Sequence, residues 1–310
     1  MEKKDLITLK QLPGIGDGII NKILKEGFEN IEDFCDKHQK YTFGIKDISK
    51  FNKALENIEL YTEKSLSIMD DCVQKDIKII TVKDKNYPIG LKRIGSSPTV
   101  LYCKSKNPEN LTWPTNIAIV GTRNCTENGR GWAFKAAKKL TEKGYNIISG
   151  LANGIDTAAH KGSLDVGLGK GITTAVITNI NEISKSKIEL SEEIINHDGI
   201  LLSENPPNTK FQPSQLILRN RIQTGMSDYV IVVECPEKGG TISTISFAQK
   251  QKKPIFIPDW DKIEPRRKVI PELYTINKLL SEGSATPINQ EQLGIDLSSL
   301  VKDQQRLFQN

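Results

Sequence analysis

Two segments, Asn116-Ile117-Ala118-Ile119-Val120-Gly121-Thr122-Arg123 and Ser149-Gly150-Leu151-Ala152-Asn153-Gly154-Ile155-Asp156-Thr157-Ala158-Ala159-His160, decide how this 310-residue chain is read. The first opens on an apolar run, breaks at Gly121, and gives way to a helical pattern over about Gly129 to Lys143. A second apolar run, Tyr145 to Ile148, leads into the second segment and another helix. Apolar runs alternating with helices of this length predict a β-α-β-α unit and a parallel sheet with helices on its faces. The loops leaving the carboxyl ends of such strands gather along one edge, where ligands bind. Here those loops are short, contain glycine and offer backbone N–H donors, which suits an anion and phosphate above all.

The same pattern continues downstream. Ile172 to Thr178, Gly199 to Glu204, Tyr229 to Glu234 and Pro254 to Pro258 read as strands, the last of them closing the sheet, and Ile188 to Asn196 reads as a helix. The loop Glu237-Lys238-Gly239-Gly240-Thr241 follows the most β-branched of these runs. Upstream, residues 1–65 read as helical. Leu12-Pro13-Gly14-Ile15-Gly16 stands before a face of Ile19, Ile20, Ile23 and Leu24, the pattern of a helix-hairpin-helix or SAM-like module. Such a turn either offers amides to a nucleic-acid phosphate or simply packs two helices closely. A charged helix from about Leu60 to Lys75 and a strand at Ile77 to Val82 follow. The composition shift near Leu60 sets the expected domains at 1–65, 66–288 and a tail at 289–310, and predicts that the α/β part folds without residues 1–65.

No run approaches the roughly 20 apolar residues of a membrane span, and no signal region follows Met1, so a cytoplasmic protein is expected. Five dispersed cysteines without a C-x-x-C pair argue against disulfides and structural zinc. A net charge of +5 permits a polyanion partner without demanding one. G-x-G-x-x-G and G-x-x-x-x-G-K-[ST] are both missing, so neither a dinucleotide nor a P-loop nucleotide is expected, and no cofactor or metal is implied. Asp156 and His160, four apart on one helical face, read more readily as a capping and packing pair than as an acid–base pair. Arg123, Arg219 and Arg221 adjoin the strand-end loops and have the planar fork that fits phosphate, although one of them is expected to serve a structural ion pair. Lys135, Lys138, Lys139 and Lys143, with Lys250, Lys252, Lys253, Arg266, Arg267 and Lys268, supply further charge that a longer phosphate chain would explain. Phe211 and Tyr229 are candidate stacking partners for unpaired bases.

The run from Ser149 to His160 resembles, without a gap, the Ser-Gly-Leu-Ala-x-Gly-Ile-Asp-x-x-Ala-His segment of the DprA/Smf family of bacterial DNA-processing proteins. Thr122 stands where the family's Gly-Ser-Arg turn has Ser. Tyr87-Pro88, Leu101-Tyr102, Arg219-Asn220-Arg221-Ile222 and Gly239-Gly240-Thr241 extend the likeness over about Tyr87 to Ile288. Two departures stand out. Leu216-Ile217 replaces a Phe-Pro, and Asn179-Ile180-Asn181-Glu182 replaces a glycine-bearing turn with its Tyr-Pro pair. With only about two dozen residues after Pro287, the family's frequent C-terminal winged helix is not expected here. The resemblance implies a Rossmann-like domain that binds single-stranded DNA, forms a homodimer and hands strands to a RecA-type recombinase in natural transformation. Carried onto this sequence, the contacts would come from Gly121, Thr122, Arg123, Ser149, Gly150, Leu151, Ala152, Gly154, Lys210, Arg219, Asn220, Arg221, Gly239, Gly240 and Thr241. The rival reading is enzymatic. Phosphoribohydrolases of related fold use a Gly-Gly-x-Gly-Thr loop with an acid, which Gly239-Gly240-Thr241 and Glu234 loosely match, and a nucleotide-sensing module is a third alternative.

Overall fold

Nine strands make one sheet: β1 (Lys78–Thr81), β2 (Val100–Lys104), β3 (Asn116–Val120), β4 (Asn146–Ser149), β5 (Ile172–Val176), β6 (Ile200–Ser203), β7 (Tyr229–Val232), β8 (Ile255–Pro258) and β9 (Thr286–Ile288). The structure, a computed structural model, describes residues 1–41, 43–264, 267–294, 297 and 299. The spatial order is β1-β2-β6-β5-β4-β3-β7-β8-β9. Strands β3 to β9 run parallel, whereas β2 lies antiparallel against β6 and β1 against β2. The sheet is therefore Rossmann-like as expected, but mixed at one edge. A further correction concerns its other edge: β8 is not the last strand, because β9 pairs beside it. Pro287 is tolerated there since an edge strand need not donate on its open side.

Topology places the ligand edge. From β3 the chain steps through β4 and β5 to β6, then returns to the far side of β3 as β7 and continues to β8. The direction of winding thus reverses between β3 and β7, and a crevice opens beyond their carboxyl ends. The largest core packs helices Glu127–Glu142, Ile155–Leu164 and Gly240–Lys250 onto β3, β7 and β8.

Side-chain alternation shows that both faces of the sheet are covered. Val100, Tyr102, Ala175 and Leu201 point into a core shared with the N-terminal helices. Their neighbours Leu101, Cys103, Val176, Ile200 and Leu202 point into another, with Tyr87, Leu91, Ile222 and Met226.

The N-terminal region is helical as expected, with Lys3–Gln11 and Asp17–Lys25 flanking the Pro13-Gly14-Ile15-Gly16 turn. The expected boundary at 65/66 nevertheless falls inside one continuous helix, Ile58–Gln74. The core beneath it runs from Leu6, Ile20 and Phe34 across to Val100, Tyr102 and Leu201. The hairpin turn is also pinned to the α/β part. Asp17 accepts from the Thr99 amide (2.8 Å) and hydroxyl (2.6 Å), and Asn21 donates to the Ser97 carbonyl (3.0 Å). Asp17 and Asn21 thus pack the helix that follows the turn onto the α/β part, while Gly14 and Gly16 of the turn are exposed. The expected tail begins as part of the fold, since Leu293 and Leu297 are buried in the largest core. Residues 301–310 and Arg266 lie outside the described residues. Among the described residues no helix is long and apolar enough to cross a membrane.

Candidate functional site

The loops at the carboxyl edge are stitched to one another before any ligand is considered. The Thr122 amide donates to the Glu234 carbonyl at the end of the β7 run (3.0 Å), and the Ile155 amide donates to the Thr122 carbonyl (3.3 Å). Gly154 makes the second contact feasible. Its φ is +76°, and any Cβ there would overlap the carbonyls of Thr122 and Arg123. Within the β4 loop, Leu151 adopts φ 60° and the Asp156 carboxylate turns back to accept from the Ala152 amide (3.3 Å). Burial pushes the Asp156 carboxyl up, opposed by the Arg219 guanidinium and the loop's own donors.

Two cavities of about 410 and 320 Å³ lie over these loops and share Arg123, Ala152, Leu216 and Arg219, so they form one groove. The first is walled by Gly121 to Arg123 and Lys238 to Thr241, at the β3/β7 reversal. The second runs past Gly150 to Asn153 toward Glu182, Ser184, Ser186 and Lys187. One wall is apolar. The short helix Pro213–Leu218 buries none of its side chains and presents Leu216 and Ile217 to the first cavity. Ile217, Leu218 and nearby Phe211 are each about half exposed.

The expected arginines divide by role. Arg123 is exposed, and its guanidinium makes no hydrogen bond or ion pair to the described residues. Arg219 is buried beneath the groove, donating to the Val176 carbonyl (2.7 Å) and the Gly150 carbonyl (3.1 Å). Gly150 has to be glycine for this, because a Cβ would overlap that guanidinium. Asn220 donates to Ser243 Oγ (2.8 Å) and the Gly240 carbonyl (3.3 Å). Arg221 turns away from the groove to grip Glu204 with both terminal nitrogens (2.9 and 2.6 Å), with Asp17 at 3.7 Å. Three consecutive side chains thus anchor three different segments, and the structural ion pair anticipated for one arginine belongs to Arg221.

Other expected residues scatter. Ser149 is buried and donates to the Ile119 carbonyl (2.7 Å), tying β4 to β3 rather than facing the groove. Lys210 is exposed on the loop before Gln212 and lines neither cavity. Tyr229 cannot serve as a stacking partner at this edge. It is the first residue of β7, at the opposite end of the sheet, and its ring packs against Phe256. The lysines of Glu127–Glu142 also stay out of the groove, Lys138 pairing with Asp165 and Lys139 donating to the Gln290 carbonyl. Arg267 is engaged by Asp261 and Lys253 by the Ser227 carbonyl. Gln223 and Lys187 line the groove but were not singled out in the sequence. Gln223 carried no signal, and Lys187 sits in the loop that departs from the family pattern. Lys238 was read only as part of its glycine loop.

Glu234 and His160 line neither cavity, whereas Asp156 borders the first. Glu234 is fully buried, and its carboxylate takes the Thr126 hydroxyl (2.5 Å) and amide (2.9 Å). His160 is fully buried, its Nδ1 2.7 Å from Thr173 Oγ1, and burial with Arg219 and Lys187 nearby holds its pKa down at about 3. A histidine neutral in the fold and charged when unfolded stabilises above its ordinary pKa. That contribution is lost as pH falls from about 6.5 toward 3, by about 1.4 kcal/mol per unit. Urea titrations should therefore show the stability gap between wild type and His160→Gln shrinking at roughly that rate from pH 6 to 4. A constant gap would mean that His160 is protonated in the native state.

A family model described as DNA recombination-mediator protein A matches residues 78–296. The DNA processing protein DprA of Bacillus subtilis (strain 168) is 35% identical over 215 residues, 68% of this chain and 71% of that one. Its Streptococcus pneumoniae (strain ATCC BAA-255 / R6) counterpart is 31% identical over 248 residues, 78% and 82% of the two chains. The X-ray structure of DNA processing protein A from Streptococcus pneumoniae superposes with a TM-score of 0.74 at 27% identity, covering 95% of this chain and 98% of that chain. A Helicobacter pylori structure, described by its single-stranded DNA binding mode, gives 0.59 at 26% identity over 73% and 97%. With the matched region spanning the sheet from β1 to β9 and every loop of the groove, the chain belongs to the DNA recombination-mediator protein A family.

Proposed function

We propose that the groove binds single-stranded DNA, and that the protein protects incoming strands and loads a RecA-type recombinase onto them during natural transformation. It would act in the cytoplasm as a homodimer and without a catalytic step of its own. The observation that carries the reading is Arg123: an exposed guanidinium with no protein partner among the described residues, beside the amide-bearing loops at the β3/β7 reversal. A phosphate satisfies both at once. The apolar wall of Leu216 and Ile217 gives unstacked bases a surface that a duplex would not use. The Helicobacter pylori relative supports the same ligand. Against the nucleotide-cleaving alternative stands Glu234, whose carboxylate is spent on Thr126.

The test is a titration of single-stranded and duplex DNA in one buffer, with base release from AMP as a parallel control. Tighter single-strand binding is expected, since stacking adds about 1–3 kcal/mol per base. Arg123→Ala should flatten the dependence of log K on log salt by about 0.7, the share of one phosphate on a single strand. Its thermal stability should hardly move. Equal affinity for both forms, or release of free base, would overturn the reading.

A further inference from the structure

A separate crevice opens where the N-terminal helices meet the α/β part, and it shares no lining residue with either groove cavity. Its volume is about 750 Å³. The helix Asp17–Lys25 and the turn after it form one wall, and Val82, Lys83 and the loop from Lys92 to Ser97 form the other. Hydrogen bonds hold the walls in place. Asn21 ties the helix to the Ser97 carbonyl (3.0 Å), and Lys83 Nζ donates to the Met1 carbonyl (3.0 Å). Gly27, with φ +81°, turns the chain at the end of the helix and lets Phe28 fold back into the core.

The crevice has an apolar floor and a cationic rim. Phe28 and Ile94 are buried and Leu24 and Val82 partly buried, whereas Lys25, Lys83 and Lys92 are exposed around them. None of these three lysines is paired with a carboxylate among the described residues. Glu29 is the one carboxylate of the lining, so three lysines against one glutamate leave a surplus of two positive charges. The floor offers unstacked bases no open ring: Phe28 is 6% exposed and stands edge-on to Phe34 (5.4 Å) and Tyr41 (5.1 Å). An apolar floor inside a lysine rim instead complements a large apolar side chain flanked by carboxylates.

We propose that this crevice docks an acidic peptide segment of a partner protein, one that carries a large aliphatic or aromatic side chain among Asp and Glu residues. That side chain enters against Leu24, Val82 and Ile94, and its acidic neighbours meet Lys25, Lys83 and Lys92. Because crevice and groove share no lining residue, the protein can hold a strand and this partner at the same time. The docking surface goes beyond the single-strand reading and does not depend on it.

The experiment pans random dodecapeptides displayed on phage against the full chain, with a Lys25→Glu/Lys92→Glu variant for counter-selection. Enriched sequences should set a large apolar residue among acids. A labelled enriched peptide is then titrated by fluorescence anisotropy against wild type, the double lysine variant and Val82→Ser, each checked by a thermal melt. Both variants should weaken binding by about tenfold, the lysine pair through reversed charge and Val82→Ser through lost apolar burial. Added salt should weaken the wild-type complex. Val82→Ser should keep wild-type affinity for oligothymidylate, so that crevice and groove fail separately. Enrichment of basic peptides or of none, unchanged peptide affinity in both variants, or displacement of the peptide by oligothymidylate would overturn the proposal. So would a shift in the oligomeric state of the double lysine variant by light scattering, which would make the crevice an interface between copies of this chain.

Discussion

Replacing Arg221 with alanine is expected to lower the unfolding free energy by about 3–5 kcal/mol, the usual result of breaking a buried ion pair from one side. The Arg221, Glu204 and Asp17 side chains are only 10%, 12% and 11% exposed. Asp17 would keep Lys10 at 3.1 Å and both Thr99 donors, but Glu204 would lose its bidentate partner. For a chain of this size the loss corresponds to a melting temperature lower by roughly 10 °C. Arg221→Lys should rescue little, because one ammonium cannot reproduce the fork. An Arg221→Met/Glu204→Leu variant should recover most of the stability, since replacing both charges with apolar groups leaves nothing stranded. Urea unfolding of the set decides it. A loss below about 1 kcal/mol for Arg221→Ala would mean that the pair is effectively solvated.

The parallel strands were legible because strands covered on both faces are written as unbroken apolar runs. Ile117 to Val120 and Val230 to Val233 are of this kind, and both stand in the interior of the sheet. The helix Ile188–Asn196 also fell where the sequence placed it. The convergence of the β3, β4 and β7 loops followed from topology alone. What composition cannot convey is the partner of a guanidinium. Two carbonyls, a carboxylate and a phosphate all present oxygens to the same planar fork, so Arg219, Arg221 and Arg123 look alike until the fold assigns them. Burial separates them, and burial is set by residues far away in the chain.

Two strands toward the margins of the sheet were the other blind spot, although the outermost one on the antiparallel side, β1, was read at Ile77 to Val82. β2 is a five-residue strand beside a Tyr-Pro pattern, and β9 has three residues including Pro287, so neither gives a periodic signal. Tyr229 shows the opposite failure. Its place as the first residue of β7 already assigned it to the amino edge, away from the groove. Lys187 was hidden because a loop without a recognisable pattern offers no reason to look there, although its anchoring bonds are as definite as those of the glycine loops.

Removing residues 1–57 is expected to abolish cooperative folding of what remains. The composition shift near Leu60 invites a cut there, but the core does not respect it. Leu6, Ile7, Leu9, Ile20, Ile23 and Phe34 are fully buried in the cluster that also holds Val100, Tyr102 and Leu201. The first helix packs on Ile58–Gln74 and on β1 and β2. Deletion would expose one whole face of β2 together with Ile68, Cys72 and Ile194. At about 1.5–3 kcal/mol for each large apolar side chain returned to water, half a dozen such residues cost roughly 10 kcal/mol. That matches the entire stability of an ordinary domain, about 5–15 kcal/mol. The cut would also leave Thr99 and Arg221 without Asp17. Residues 58–310 expressed alone should be insoluble, or should bind a hydrophobic dye and melt without a sharp transition. A soluble 58–310 protein with a steep thermal transition and wild-type near-ultraviolet dichroism would show that the two parts are separable after all. The hairpin would then be free to serve as an independent module rather than as the cover of the sheet.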